Sequence, residues 1–533
     1  MRPERSPTDA LFAALCRRGA ALQREFLRTD TGRTLRYADL HAESARLAHA
    51  LVALGVRPGE RVAVQVDKSP EAVLLYLATL RAGAVYLPLN TAYTEAELEY
   101  FIADAQPALF VCTRARLPQL QPLAARLHVR ALVTLGTDDE GDTDTDAGAG
   151  TVAGAVPLLT AARALPAEFD DVPRHRDDLA AILYTSGTTG RSKGAMLTHG
   201  NLLSNARTLA LHWRFSADDV LLHALPIFHI HGLFVAINVT LAAGSSLLFL
   251  PRFDPAAVLA ALPHTTVMMG VPTFYVRLLN DARLDRARVA RSRLFISGSA
   301  PLLTDTHSAW RERTGHVILE RYGLSETGMN CSNPYDGERV PGSVGPPLPD
   351  VSLRISDPAS AAPLPAGAIG MIEVRGPNVF AGYWGAPDKT RAQMRPDGYF
   401  ITGDLGRVDE RGYVYIVGRG TDLVISGGYN VYPKEVETEI DALPGVLESA
   451  VIGLPHPDFG EGVTAVVVPH MTATLTESAI LAQLRARLAA YKLPKRIIFV
   501  DELPRNVMGK VQKAQLRARY AGLYEPHLPE RDT

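Results

Sequence analysis

The stretch TSGTTGRSKG, residues 185–194, gathers three glycines, a cluster of hydroxyls and a lysine. Glycines allow close backbone approach, so successive N–H groups can line an anion nest. Thr185, Ser186, Thr188 and Thr189 add hydroxyl donors around Gly187 and Gly190, and Lys193 adds a charge. This set of groups suits phosphate oxygens. The apolar run AAILY before it, residues 180–184, predicts a buried strand feeding the loop. A Walker-type loop needs G-x-x-x-x-G-K-[ST]. Counted from Gly187, its second glycine falls on Ser192, and Lys193 is followed by Gly194 rather than by a hydroxyl residue, so the Walker reading fails. A plain surface turn is the competing reading. So many hydroxyls beside a lysine, directly after an apolar strand, favour phosphate.

Further stretches follow in order: ISGSAPL at 296–302, ERYGLSETG at 320–328, YFITGDLG at 399–406, GRGTDLVISGGYNVYPKEVE at 418–437 and PRNVMGKVQK at 504–513. With the hydroxyl-rich loop, this series resembles the adenylate-forming superfamily of acyl-CoA synthetases, peptide-synthetase adenylation domains and luciferases. The likeness runs from about Thr34 to Lys513. It implies ATP and Mg²⁺ as partners, with the first loop on the β- and γ-phosphates. It puts Gly298, Ser299, Ala300 and Pro301 along the adenine pocket, with Glu320, Tyr322 and Gly323 beside them and Tyr322 stacked on the base. Glu326 would hold magnesium, as befits a hard oxygen ligand, and Thr327 would contact the α-phosphate. Asp404 and Arg419 would take the ribose hydroxyls. Lys510 would reach the reacting carboxylate and the α-phosphate. The hinge position, usually Asp or Lys in that family, is Thr421 here, and a β-branched residue is stiffer. We expect Thr421 to affect the second half-reaction more than the first.

The implied chemistry is consistent with these residue types. A free carboxylate repels nucleophiles. Attack on the α-phosphorus of ATP converts it to an acyl-adenylate, from which AMP leaves readily when a thiol attacks. Catalysis then consists of positioning and charge neutralisation by Lys510, Lys193, Thr327 and Mg²⁺. No enzyme nucleophile is required, and no G-x-S-x-G elbow occurs. The resemblance further implies that a small domain turns after the first step, bringing Ser426, Gly427, Gly428 and Tyr429 against coenzyme A.

The acid is addressed by two other stretches. LPIFHIHG, 225–232, puts Phe228 and His229 where the family has its gate beside the acyl pocket, and His231 follows. VPTFYVRLL, 271–279, predicts a helix opening at Pro272, with Arg277 on the face of Thr273 and Phe274. An arginine bordering the acyl pocket offers a bidentate fork to a second carboxylate. These stretches together are most similar to malonyl-CoA synthetases, which implies malonate or methylmalonate as the acid. His229, Arg277 and Ser299 are the expected acid-binding residues, with His229 also counted among the catalytic set. The alternatives are a ligase for another short or aromatic acid, or an adenylation protein that loads a carrier.

These residues must be positioned by a chain of 533 residues, enough for several cores. Its 47% hydrophobic and 21% charged content is that of a soluble globular protein, and a net charge of −2 gives no footprint for nucleic acid. Cys16, Cys112 and Cys331 are widely spaced, neither a disulfide framework nor a zinc pattern, so a cytoplasmic setting is expected. The uncharged run 233–250 approaches membrane-span length, but its polar residues and Gly244 predict a buried helix followed by a strand. The first third alternates strand and helix patterns, which predicts α/β layers with a mainly parallel sheet. Thr94 with Glu97 forms a capping-box pattern at one helix start. The acidic, Gly-rich stretch 136–155 reads as a surface excursion. After about residue 335, short segments between Gly, Pro and Asp predict antiparallel strands in a barrel or small sheet. The expected fold is thus α/β: a large N-terminal adenylation domain, 1–420, of layered α/β subdomains plus a small β-barrel. A small mobile α+β domain, 421–533, carries Lys510.

Overall fold

The computed structural model describes residues 10–16, 20–136, 157–185, 192–427, 429–470, 475–506 and 509–524. The expectation for 136–155 therefore falls almost wholly outside the described residues, as do Ser186, Gly187, Thr188, Thr189, Gly190 and Gly428.

Local signals in the sequence set the helix starts. Ser69 accepts from the Ala72 N–H ahead of Pro70–Arg81, whose first residue is the proline a first turn tolerates. Thr94 and Glu97 form the reciprocal capping box of Glu95–Ala105. These helices cover a six-stranded sheet. Its strands run in the order Ala131–Thr134, Leu109–Cys112, Arg61–Gln65, Val85–Pro88, Leu179–Thr185 and Lys193–Thr198. All neighbours are parallel except the last pair, a hairpin. An eight-stranded sheet follows, with a parallel centre that includes Val220–His223, Val267–Gly270, Leu294–Ser297 and Leu319–Leu324. One apolar core spans both sheets.

The uncharged run resolves as a π-helical segment His231–Ile237, a short helix Asn238–Ala243 ended by left-handed Gly244, and the strand Ser246–Phe249. No helix among the described residues is long and apolar enough to cross a membrane. The three cysteines are buried and unpaired.

Of the barrel or small sheet expected after residue 335, the named strands form an antiparallel sheet of four, Ser352–Ser356, Gly370–Arg375, Phe400–Val408 and Val414–Arg419, paired in sequence order. The last sheet begins at Val424–Ser426, and its two long strands are Val446–His456 and Gly460–Pro469. Both faces of these strands are apolar. Val451, Ala465 and Val467 pack on helices Pro433–Asp441 and Glu477–Leu484, while Ala450, Ile452, Val466 and Val468 pack under Leu516 of Lys513–Arg519. Helix Glu477–Leu484 stops at Leu484, beyond which the chain through Ala489 is exposed except for half-buried Leu488.

Candidate active site

The parallel strands of the eight-stranded sheet end on a common side, and the segments leaving their carboxyl ends carry most of the expected site residues. His223 ends one strand, and 225–232 folds back from it. The turn is held by His223 Nε2 against the Gly232 carbonyl at 2.8 Å, with the Lys68 ammonium 2.8 Å from His223 Nδ1. Gly232 is obligatory there, since a Cβ would meet the Pro226 oxygen at 2.1 Å. Strand Leu294–Ser297 runs into Gly298 and Ser299, and Ser299 takes φ +72°, a left-handed conformation costly for a non-glycine residue. Its hydroxyl lies 3.3 Å from His231 Nδ1. Ala300 is half-buried and Pro301 exposed. Strand Leu319–Leu324 leads into Glu326 and Thr327, and Gly323 passes so close to the next strand that a Cβ would sit 2.1 Å from the Gly328 oxygen.

Three expected residues, far apart in sequence, meet in one cluster. The buried Tyr322 hydroxyl donates to Asp404 Oδ2 at 2.5 Å, and Arg419 Nε pairs with Asp404 Oδ1 at 2.9 Å. Burial, then Asp404, drives the Tyr322 phenol well above its ordinary range. Next to them Glu320 is buried and accepts from the Gly342 N–H, and desolvation raises its carboxyl to about 8.

Thr185 and Lys193 face each other across the mouth of the phosphate-loop hairpin. Thr185 Oγ1 reaches Glu326 Oε1 at 3.5 Å, and Tyr383 donates to the same oxygen at 3.0 Å. Lys193 Nζ lies 4.9 Å from the Tyr383 ring centroid, and desolvation, then Lys389, lowers its pKa. The residue after Lys193 is glycine for a packing reason, since a Cβ at Gly194 would meet Ile182 at 2.8 Å. Tyr184 donates to Asp104, and Tyr100 donates to the Ser192 carbonyl at 2.6 Å, which ties both stems to one helix.

Lys510 comes from the last sheet's side of the molecule. Its backbone exchanges two hydrogen bonds with Asn506, and Gly509 beside it abuts Thr273 of the helix Pro272–Leu279. Its side chain is half-buried, and desolvation, then the Arg419 charge, lowers its pKa, with Asp404 and Glu326 opposing. His229 is half-buried, and desolvation followed by the Lys510 and Arg321 charges takes it down to about 3. His229, Glu326, Asp404 and Arg419 therefore all lie within electrostatic reach of Lys510.

One expected acid-binding residue does not join this centre. Arg277 sits on the predicted helix, but its side chain is exposed, whereas Thr273 and Phe274 are half-buried. Ser426, Gly427 and Tyr429 keep to their own sheet: Ser426 is buried and pairs with Gly460, Gly427 N–H donates to the Phe459 carbonyl, and Tyr429 stacks on Tyr491 at 4.8 Å. Thr421 is exposed in the turn Gly420–Asp422.

The residue missed from sequence is Arg321, which lies inside ERYGLSETG. The residue is 4% exposed, and Nε and Nη2 have no hydrogen-bond partner among the described residues. It lies against Gly298, and its charge is felt by His229, His231 and Lys510. Desolvation pushes it down to about 9. A strand pattern at this position predicts burial but not the absence of a carboxylate partner. Tyr383 was missed for a similar reason: only the fold brings it to Glu326.

Residues 16–384 match the family model for the AMP-binding enzyme, and residues 435–510 that for the AMP-binding enzyme C-terminal domain. The chain is 37% identical to a feruloyl-CoA synthase of an Amycolatopsis species, over 92% of this chain and 94% of that one. It is 36% identical to the mitochondrial malonate–CoA ligase of Mus musculus, over 90% and 86%. Among solved structures it resembles ATP-bound MatB from Rhodopseudomonas palustris, with 56% identity, a TM-score of 0.92, and 97% of this chain and 100% of that one covered.

Proposed function

We propose, from the premise that this chain belongs to the AMP-binding enzyme family and is an AMP-forming acid–CoA ligase, that its acid is malonate, with methylmalonate as a second substrate. The observation that carries this reading is buried Arg321, whose Nε and Nη2 have no hydrogen-bond partner among the described residues. A desolvated charge without a partner is costly. A substrate carrying a second carboxylate supplies that partner in bidentate form. A monocarboxylic or aromatic acid leaves the guanidinium unpaired. Arg321 thus takes over the role that the sequence pattern had assigned to exposed Arg277. The similarity to the mitochondrial malonate–CoA ligase of Mus musculus supports the same acid.

On this reading malonate lies with one carboxylate on Arg321 and the other near Lys510, flanked by His229 and the Ser299 hydroxyl. His229, held neutral, adds no positive charge there and can direct a ring nitrogen at the acid. The base of ATP lies along Tyr322, its ribose on Asp404 and Arg419, its outer phosphates by Thr185 and Lys193. The free carboxylate attacks the α-phosphorus and pyrophosphate departs. Lys510 neutralises charge on the α-phosphate as it develops, while Thr327, expected to share that role, is wholly buried in this structure. Coenzyme A then attacks the acyl carbon and AMP leaves, with the segment from Ser426 to Tyr429 turned toward the thiol arm.

Magnesium fits the Glu326 end, where a half-buried carboxylate and the Thr185 hydroxyl offer hard oxygen donors. Bound with the triphosphate, it supplies positive charge against the phosphate oxygens. The feruloyl-CoA synthase relative favours an aromatic acid as the second reading.

The test is an acid panel of malonate, methylmalonate, acetate, butyrate and ferulate, with ATP, Mg²⁺ and coenzyme A, scored by AMP release and thioester mass. Malonate should lead, and Arg321→Met should cut its kcat/KM about 100-fold while sparing the monocarboxylates. Faster turnover of ferulate, or equal loss for every acid, overturns the reading.

A further inference from the structure

A hydrogen-bond path runs from the six-stranded sheet to the turn that carries His229. Lys68 follows strand Arg61–Gln65 and directly precedes Ser69, the cap of helix Pro70–Arg81. Its side chain crosses to the eight-stranded sheet. There Nζ sits 2.8 Å from His223 Nδ1, 2.8 Å from the His223 carbonyl and 4.3 Å from the ring centroid of Phe249, the residue paired with His223 on the neighbouring strand. On the far side of the ring, His223 Nε2 meets the Gly232 carbonyl at 2.8 Å. That carbonyl can only accept, so Nε2 carries the ring proton. Desolvation, then the Lys68 charge, keeps the buried imidazole neutral. Nδ1 is therefore a bare lone pair, and Lys68 donates to it.

The Gly232 carbonyl belongs to the same peptide unit as the Leu233 N–H, and that N–H donates to the His229 carbonyl at 3.0 Å. Donors thus point one way throughout: from Lys68 to His223, from His223 to the Gly232–Leu233 peptide, and from that peptide to His229. Bonds aligned in this way strengthen one another. The His231 N–H closes the turn onto His229 Nδ1 at 3.4 Å, which leaves Nε2 as the His229 nitrogen for the acid. We propose that Lys68 and His223 are positioning residues for acid binding, which hold the Gly232–Leu233 peptide and, through it, His229 in the orientation that meets the carboxylate. This role rests on the reading of His229 as an acid contact, whichever acid is bound. Removing Lys68 strands a buried Nδ1 without its donor and loosens the ring. Removing the ring frees the peptide on which the turn is fastened.

The test is ATP–pyrophosphate exchange with whichever acid the wild type uses fastest, acid and ATP being varied in turn. The variants are Lys68→Met, His223→Leu, their double variant, His223→Gln and His229→Ala. Lys68→Met and His223→Leu should each raise the KM for the acid about 10-fold and leave that for ATP within about two-fold. The double variant should stay within about two-fold of His223→Leu, because Lys68 acts through that ring. His223→Gln keeps an N–H for Gly232 and an oxygen for Lys68, so it should recover most of the His223→Leu loss. Nitrogen NMR of the histidine rings, assigned by the signal missing from His223→Gln, should show His223 protonated on Nε2, with Nδ1 shifted in Lys68→Met. Thermal melts identify a variant that does not fold. Should His223→Leu be one, Lys68→Met and the spectra carry the comparison. Equal rises in both KM values, or multiplying losses in the double variant, overturn the proposal. So does a wild-type ring protonated on Nδ1, or unchanged acid kinetics in Lys68→Met and His223→Leu. Normal acid kinetics in His229→Ala refute the acid contact and the positioning role with it. Malonate selectivity is read separately, by the acid panel.

Discussion

The Arg321 guanidinium lies against the backbone of Gly298, so that a Cβ at 298 would sit 2.6 Å from its central carbon. One residue's missing side chain is therefore the space another's charge occupies. Gly298→Ala should displace Arg321 and lower kcat/KM for malonate by about 10-fold or more, roughly 1.4 kcal/mol. The KM for ATP should change less. Steady-state kinetics with each substrate varied in turn measure both, and an equal loss in both parameters would contradict the arrangement.

Lys510 is carried by a loop that Arg505 clamps, donating to the Gly509 carbonyl at 2.5 Å and pairing with Glu448. Small displacements of a positioned group cost rate steeply. Arg505→Ala should slow formation of the acyl-adenylate by up to about 100-fold. Thioester formation from chemically prepared acyl-adenylate should hold near the wild-type rate. Single-turnover measurements of the two halves separate these outcomes.

Thr421 lies exposed between Arg419, which pairs with Asp404, and Asp422, which pairs with Arg517 at 2.9 Å. The turn is thus tethered at both ends, to strand Phe400–Val408 on one side and to helix Lys513–Arg519 on the other. Thr421→Lys places a longer unbranched side chain in solvent without a clash. It should change the rate of the thioester half several-fold and leave the adenylate half nearly as it was. Equal changes in both halves would remove the hinge reading.

His199 is 1% exposed, accepts the Leu11 N–H on Nδ1, and is pushed from the ordinary 6.5 to about 4, chiefly by desolvation. A histidine depressed in the folded state binds its proton more readily when unfolded. Its contribution to stability is intact above about pH 6.5 and is lost as pH falls toward 4, at up to about 1.4 kcal/mol per pH unit. Unfolding midpoints in urea between pH 7 and 5 should fall less steeply for His199→Gln than for the wild type. Parallel slopes would place the acid sensitivity elsewhere.

Much of this protein is written locally. Ser69 before Pro70, and Thr94 with Glu97, mark helix starts because capping involves neighbours within one turn. The order of the phosphate loop, SETG, the ribose pair and the terminal lysine identifies the reaction class, because such groups are supplied by short segments whose spacing survives in one dimension. The choice among charged side chains is different. On paper only Arg277 stands out as a fork, and Arg321 is passed over. Helix Pro272–Leu279 leaves the first in solvent, while strand Leu319–Leu324 buries the second against Gly298 with no carboxylate partner among the described residues. Likewise Tyr322 and Asp404, 82 residues apart, and Asn330 and Asn378, 48 apart, become partners only when separate sheets dock. Periodicity and capping depend on bonds along the chain, so the sequence by itself determined them. Desolvation and hydrogen-bond partnership depend on what arrives from elsewhere in the chain, and only the tertiary structure decided those.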